Sequence, residues 1–556
     1  MEKIWLQSYP PHVPADINPD QYASLVELFR HSVERFHDRP AFQNRGKILS
    51  YHEVDELSRE FAAYLIHEAG LHAGDRIALM MPNLLQYPIA LFGALRAGLI
   101  VVNTNPLYTA RELEHQLKDS DAKAIVVLAN FAHTLEQVMD EVPLTTVITT
   151  EVGDLLGFPK ALLVNSVVRY VKHLIPEYHL PEAIGFNQVL HIGREYLAFY
   201  KDAKPQGHDA AFLQYTGGTT GVAKGAVLTH RNLIANMLQA QAWAAADLVA
   251  GKEIFITALP LYHIFALLAN ALFAFELGAK NVLITNPRDL DDFIDTLIDE
   301  PFTFITGVNT LYNAMLNHEA ISKVDFSYLK VALGGGMAVQ KTVAERWQAL
   351  TGITLLEAYG LTETSPAVCI NPINLKAYNG MIGLPISSTE VSIRDWDGNE
   401  LDVGETGELW VRGPQVMQSY WRRPDETAKV LTADGWLRTG DIALLNAQGF
   451  VKIVDRLKDM MLVSGFNVYP NEVEEVIASH PKVLEVGVIG VKDEHSGEVV
   501  KAFVVKKDDS LTEAALRAFC HQQLSAYKCP KQIVFLETLP KSNVGKILRK
   551  ALRQLP

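Results

Sequence analysis

The chain has 556 residues, 48% hydrophobic and 21% charged, with 50 Lys and Arg against 64 Asp and Glu for a formal charge of −14. This length exceeds one ordinary core, and the apolar content excludes a disordered chain, so a folded multidomain protein is expected. The acidic balance argues against nucleic acid as a partner, while Cys369, Cys520 and Cys529, too few and too scattered for a disulfide framework, fit a reducing compartment.

At the N-terminus Glu2, Asp16, Asp20 and several prolines interrupt the stretch where an export signal needs an apolar core, which points to the cytoplasm. Short β-branched runs at 76–81, 124–128 and 302–305 each precede a helical pattern, at 83–97, 131–140 and 308–316. That alternation predicts an α/β fold of doubly wound, parallel layers up to about residue 380. Between 155 and 180, Leu, Val, Ile and Tyr alternate with Lys160, Arg169, Lys172 and His173, the pattern of a basic amphipathic helix that lies on an anionic membrane surface. A solvated helix packed on its own domain is the commoner meaning of such a pattern. The stretch 254–275 has no formal charge and the length of a membrane span, yet Pro260, Tyr262, His263 and Asn270 make it read as a buried strand, loop and helix.

From about 381 to 455 the texture turns to alternating strands broken at Asp397-Gly398 and 405–407, which predicts antiparallel hairpins in a small β-barrel-like subdomain. Residues 1–455 are thus expected to form one large unit and 456–556 a small α+β C-terminal domain, with helices at 471–479 and 512–524 and strands at 483–491 and 499–506. The boundary falls at Asp455-Arg456-Leu457-Lys458-Asp459. Residues 456–556 carry 15 Lys and Arg against 12 Asp and Glu, so the small unit is the positive one.

The strongest chemical signal is Tyr215-Thr216-Gly217-Gly218-Thr219-Thr220-Gly221-Val222-Ala223-Lys224-Gly225. Glycines let a backbone approach a polyanion, hydroxyls add donors, and Lys224 supplies charge, so this is a phosphate loop in chemical type. It fits neither the Walker spacing nor the dinucleotide G-x-G-x-x-G.

This string resembles the signature loop of the adenylate-forming superfamily, which comprises acyl-CoA synthetases, peptide-synthetase adenylation domains and beetle luciferases. Its companions follow in the family's order: 358–364 (AYGLTET), 420–424 (YWRRP), 435–441 (GWLRTGD), 455–459 (DRLKD) and 540–546 (PKSNVGK). The resemblance covers the whole chain and is nearest to bacterial long-chain fatty-acid:CoA ligases. It implies ATP-dependent activation of a long-chain fatty acid through an acyl-adenylate, with CoA as second substrate and Mg²⁺ as cofactor. A ligase loading a carrier protein and a medium-chain acyl-CoA synthetase are the alternatives.

The resemblance also implies roles. The loop Thr216, Gly217, Gly218, Thr219, Thr220, Gly221 and Lys224 would hold phosphates, Glu363 would hold Mg²⁺, and Thr362 would bond the α-phosphate. Tyr359 would stack on adenine, with Gly360 and Gly336 close to the nucleotide, and Asp441 and Arg456 would bind ribose. Lys546 would bridge the attacking carboxylate and the α-phosphate. His263, Gly334 and Gly335 would border the acyl chain. The terminal domain would then swing about Lys458, withdrawing Lys546 and bringing Ser464 and Gly465 to the site for CoA. The absence of any acid between Phe255 and Phe275 argues against an amino-acid substrate. Contact with the inner membrane surface through 155–180 and assembly into a homodimer are further partners the pattern allows.

Overall fold

The structure is a computed structural model that describes residues 2–216, 223–464, 466–493, 496–542 and 544–555. Two large, mostly parallel sheets form its body. One has eight strands, in which Ile100–Asn103, Arg76–Met80 and Ala122–Leu128 are central and Ala210–Thr216 and Lys224–Thr229 form a hairpin toward one edge. The other has nine, running from Leu384–Pro385 through Leu355–Gly360, Val331–Gly335, Phe304–Gly307, Ile254–Thr257 and Lys280–Leu283 to the hairpin Pro40–Asn44 and Lys47–Ser50.

Near-continuous apolar strands suit parallel sheets covered on both faces. Every residue of helix Gln86–Arg96 is buried, Arg96 included, and one continuous core draws residues from both sheets. Arg96 keeps its charge inside that layer because Asp55 (2.6 Å) and Asp202 (2.8 Å) flank it. Helix Tyr51–His67 starts at a capping box in which Ser50 and Glu53 satisfy each other's backbone N–H, and Tyr51 reaches across to the Phe275 and Ala279 carbonyls.

The stretch 254–275 is a buried strand, a loop and a helical segment, as the polar residues within it indicated. Among the described residues no helix is long and apolar enough to cross a membrane. Two expected helices come out differently. The 131–140 pattern is broken into the short turns Ala129–Phe131, Ala132–Glu136 and Met139–Glu141. The 155–180 pattern is helical only over Lys160–Ser166 and a π turn, Val167–Val171, because Pro159 confines its start and Pro176 and Pro181 exclude its continuation.

The strands Glu390–Arg394, Thr406–Arg412, Leu437–Leu445 and Val451–Arg456 form an antiparallel four-stranded sheet whose pairing follows an open path among the described residues. Beyond it, Met461–Val463, Phe466–Val468, Val483–Asp493, Gly497–Lys506 and Gln532–Leu536 make a separate sheet with its own core, packed by helices Pro470–Ala478 and Glu513–Gln523. This small unit rests on the body through a hydrogen bond from Thr310 Oγ1 to the Gly545 carbonyl (2.9 Å) and one from Asn313 Nδ2 to the Leu484 carbonyl (3.1 Å).

Candidate active site

Ligands in open α/β sheets bind beyond the carboxyl ends of the strands. Here a cavity of about 1240 Å³ opens where those ends from both large sheets meet the four-stranded sheet and the small unit. Thr216 and Lys224 enter it from the eight-stranded sheet. Gly335, Gly336, Tyr359, Gly360, Thr362 and Glu363 come from the nine-stranded one. Asp441 and Arg456 descend from the antiparallel sheet, and Lys458 and Lys546 from the small unit's side.

Each arrives for a local reason. Thr216 pairs with Lys224 across the hairpin, so the ends of the connecting loop are fixed at the cavity rim. Gly217, Gly218, Thr219, Thr220 and Gly221 lie outside the described residues. Tyr359 and Gly360 end strand Leu355–Gly360, and a single 3₁₀ turn, Thr362–Thr364, then presents Glu363. Asp441 and Arg456 are opposite one another on paired strands, with Arg456 Nε 3.2 Å from Asp441 Oδ1. Tyr359 donates its hydroxyl proton to the other carboxylate oxygen at 2.5 Å. Burial, and then the Asp441 charge, push the Tyr359 hydroxyl far above its usual range, so it remains a donor.

Lys546 sits on a tight hairpin in which Ser542 N–H bonds the Lys546 carbonyl at 2.7 Å and Ser542 Oγ accepts from Lys546 N–H at 3.1 Å. The hairpin inserts the side chain against Gly336, where a Cβ would lie 3.1 Å from Lys546 Cε; with φ +79° as well, that position favours glycine. Burial first, and the nearby Arg456 charge second, pull the Lys546 ammonium down to about 8 against the opposing pull of Asp441. A lysine so placed is an adjustable cation at the junction of the polar and apolar parts of the cavity.

The apolar part runs behind His263 and Phe265. Helix His230–Ala244 lends it Ala240, Trp243 and Ala244, and the strands lend Phe304, Val331 and Leu333. His263 accepts the Phe265 N–H at Nδ1 (3.3 Å) and so caps the helical turn that follows. Burial and the Lys546 charge drive its pKa down to about 3, leaving a neutral ring whose proton is on Nε2.

Three residues escaped the reading of the motifs. Tyr420, within the YWRRP string, lies on a two-residue strand that extends the sheet at Lys224–Thr229 and donates to Glu363 Oε1 at 2.6 Å. Glu426 pairs with Lys224 at 2.7 Å while Lys224 lies 4.7 Å over the Tyr420 ring. Lys224 first and Lys429 second hold that carboxylate down at about 2. The third is Trp243 in the apolar arm. A glutamate two positions beyond YWRRP and a tryptophan in an alanine-rich helix carry no pattern that marks them.

The geometry departs from the expectations at one place. Gly334 does not line the cavity: a Cβ there would meet Val339 Cγ2 at 2.7 Å, so this glycine serves strand packing behind the wall. Ser464 is exposed at a turn of the small unit, bonded to the Ser496 carbonyl at 2.7 Å, and does not line the cavity in this arrangement. Gly465 lies outside the described residues.

A polyanion-sized polar chamber, a paired aspartate and arginine, and an inserted lysine at the head of an apolar arm accord with the family comparison. The model for the AMP-binding enzyme family matches residues 29–421, and that for the AMP-binding enzyme C-terminal domain matches 472–546. The chain belongs to the AMP-binding enzyme family. Within it, the chain is 59% identical over 555 residues to the long-chain-fatty-acid–CoA ligase of Yersinia pestis, covering 100% of this chain and 98% of that one. To the protein of the same name from Escherichia coli O157:H7 it is 58% identical over 553 residues, with the same coverage. Among solved structures, ATP-bound MatB from Rhodopseudomonas palustris superposes with a TM-score of 0.82 at 27% identity, over 95% of this chain and 98% of that one.

Proposed function

We propose that the protein activates long-chain fatty acids to acyl-CoA in two half-reactions at this one cavity: fatty acid and ATP give acyl-adenylate and pyrophosphate, then CoA displaces AMP. The observation that carries the reading is the position of Lys546, between the Asp441–Arg456 pair on one side and the apolar arm behind His263 on the other. A carboxylate whose tail fills that arm presents its head beside the lysine.

In this reading Asp441, an acceptor-only group, takes the ribose hydroxyls that Tyr359 and Arg456 mimic in the free protein. The Tyr359 ring flanks adenine with Gly360 and Gly336, and Thr362 bonds the α-phosphate. Thr216, Lys224 and the loop between them hold the outer phosphates. Lys546 offsets charge that grows at the reacting oxygens, the largest single source of rate in such displacements. The apolar walls keep water from the mixed anhydride. Gly335, with Phe265 packed against it, borders the acyl chain.

The donor set fits Mg²⁺. No cluster of three or more His, Cys, Asp or Glu that could hold a metal occurs among the described residues, and of the two glutamates on the phosphate side of the cavity Glu426 is held by Lys224, which leaves Glu363 to hold the ion. One carboxylate completed by phosphate oxygens and waters is the usual Mg²⁺ arrangement, and the ion supplies charge neutralisation on the phosphates. Tyr420 orients the carboxylate. For the second half-reaction the small unit turns about Lys458, removes Lys546 and brings Ser464 and Gly465 to the cavity for CoA.

The substrate is amphiphilic, and one surface suits contact with a lipid bilayer. Phe158 (89% exposed), Leu162, Leu163, Tyr170 and Val171 stand out from 158–171 beside Lys160, and Lys160 bonds the Arg45 carbonyl of the neighbouring hairpin. Apolar tips among cations match an anionic lipid surface. Leu162→Glu with Leu163→Glu abolishes co-sedimentation with phosphatidylglycerol vesicles if this face makes the contact.

The half-reactions test the main reading. Lys546→Ala lowers ATP–pyrophosphate exchange by about a hundredfold or more, while thioester formation from pre-made acyl-adenylate and CoA continues. Equal losses in both would refute it.

A further inference from the structure

The segment that carries Lys546 continues directly into the short helix Arg549–Leu552, and Arg549 bonds four side chains. Its Nε and Nη2 grip both oxygens of Glu474 at 3.2 and 2.9 Å, and Nη2 also donates to Asn471 Oδ1 at 2.6 Å. Its Nη1 reaches Asp459 at 3.4 Å, and Arg553 bonds the same Asp459 at 2.7 Å. These partners all follow Lys458 and travel with the small unit.

One bond does not. Arg549 Nη1 also donates to Asp455 Oδ1 at 3.2 Å, and Asp455 precedes Lys458 on strand Val451–Arg456 of the body. The Asp455 side chain is 0% exposed. Its second oxygen accepts the Asn471 N–H at 2.8 Å, at the first turn of helix Pro470–Ala478, whose own preceding residue, Tyr469, provides no side-chain cap. A carboxylate from the body therefore serves both as counter-ion and as helix cap for the small unit. Successive residues of a strand face opposite ways. Arg456 accordingly enters the cavity beside Asp441 while its neighbour Asp455 is buried under the small unit.

We infer that Asp455 and Arg549 form a clasp across the hinge that positions Lys546 for adenylation, and that the clasp must open, exposing Asp455, before the second half-reaction. The inference rests on the two-orientation reading above. Breaking a buried ionic contact of this kind is costly when one partner is left behind. The clasp therefore favours the orientation with Lys546 in the cavity, and Arg549 keeps its other partners in either orientation.

Asp455→Asn keeps the volume and an acceptor for Asn471 while removing the charge. It is expected to lower kcat for pyrophosphate exchange about tenfold, with KM for ATP nearly unchanged, and to leave thioester formation from pre-made acyl-adenylate equal or faster. Glu474→Gln, which weakens Arg549 within the small unit alone, is the control and shows no such split. Lys546→Ala run alongside tests the underlying reading. If Lys546→Ala separates the half-reactions and Asp455→Asn does not, the clasp is refuted and the two-orientation reading stands. If Glu474→Gln reproduces the Asp455→Asn split, the effect belongs to the small unit's own stability and the clasp is again refuted. If Lys546→Ala impairs both steps equally, the reading fails and the clasp with it.

Discussion

Lys546 makes the first half-reaction sensitive to pH in a range where an ordinary lysine would be indifferent. Its ammonium is the working form, and burial together with the Arg456 charge brings its pKa to about 8. The protonated fraction falls from about nine-tenths at pH 7 to about one-tenth at pH 9, whereas a solvated lysine would still be more than nine-tenths charged there. Because kcat/KM reports groups of the free enzyme, kcat/KM for ATP in pyrophosphate exchange should fall about tenfold between pH 7 and 9. Arg456→Gln removes the repelling charge and should move the falling limb upward, though not to an ordinary lysine's value, since burial is the larger cause. Thioester formation from pre-made acyl-adenylate, which proceeds without Lys546, should lack this limb. A flat exchange profile to pH 9, or the same fall in both half-reactions, would refute the assignment.

Other outcomes follow from single contacts. Glu426→Gln releases Lys224 from its 2.7 Å ion pair and should lower KM for ATP about two- to fivefold, the worth of a part-exposed pair; an unchanged or raised KM in initial-rate assays would show that Lys224 is not held in reserve. Ala244→Phe intrudes on the apolar arm from helix His230–Ala244. Measured as kcat/KM across acids of increasing length, each methylene beyond the new limit should cost about fourfold, equivalent to about 0.8 kcal/mol, with short acids unaffected; a uniform loss would place the chain elsewhere. Arg96→Ala strips two carboxylates of their shared cation inside the interlayer helix and should cost about 3 kcal/mol in urea unfolding; a loss under about 1 kcal/mol would make the triad dispensable.

The short strings that resemble the adenylate-forming superfamily located Tyr359, Glu363, Asp441, Arg456 and Lys546, and the structure brings these into one chamber. Tyr359, Glu363, Arg456 and Lys546 are legible because each lies where a strand ends or a turn reverses, so local sequence sets local shape, whereas Asp441, in the middle of strand Leu437–Leu445, is legible only through its string. The apolar arm is not legible in that way. Ala240 and Ala244 come from a helix that precedes the wall-forming strands Phe304–Gly307 and Val331–Gly335, and only tertiary packing sets the depth between them. Gly334 is illegible for a related reason: along strand Val331–Gly335 successive residues alternate faces, so Leu333 and Gly335 line the cavity while Gly334 between them faces Val339. Asp455 and Arg549 are separated by 94 positions, and neither carries a spacing that predicts their meeting. The doubly wound layers and the helix and strand order of the terminal unit are readable from periodicity, whereas 155–180 reads as one helix because charge alternation persists where prolines stop the backbone.

The hairpin Pro40–Asn44 and Lys47–Ser50 forms one edge of the nine-stranded sheet, paired to Lys280–Leu283. On the ribosome it emerges well before every other strand of that sheet. At about 5–20 residues per second it waits about ten to fifty seconds for its neighbour. Through that interval the inner hydrogen-bonding edge of Pro40–Asn44, the one that will meet Lys280–Leu283, is open, while the intervening chain is already able to assemble most of the eight-stranded sheet beside it. The order of synthesis thus makes the second sheet the late event in folding, and the nascent chain carries an unpaired edge until residue 283 has left the tunnel.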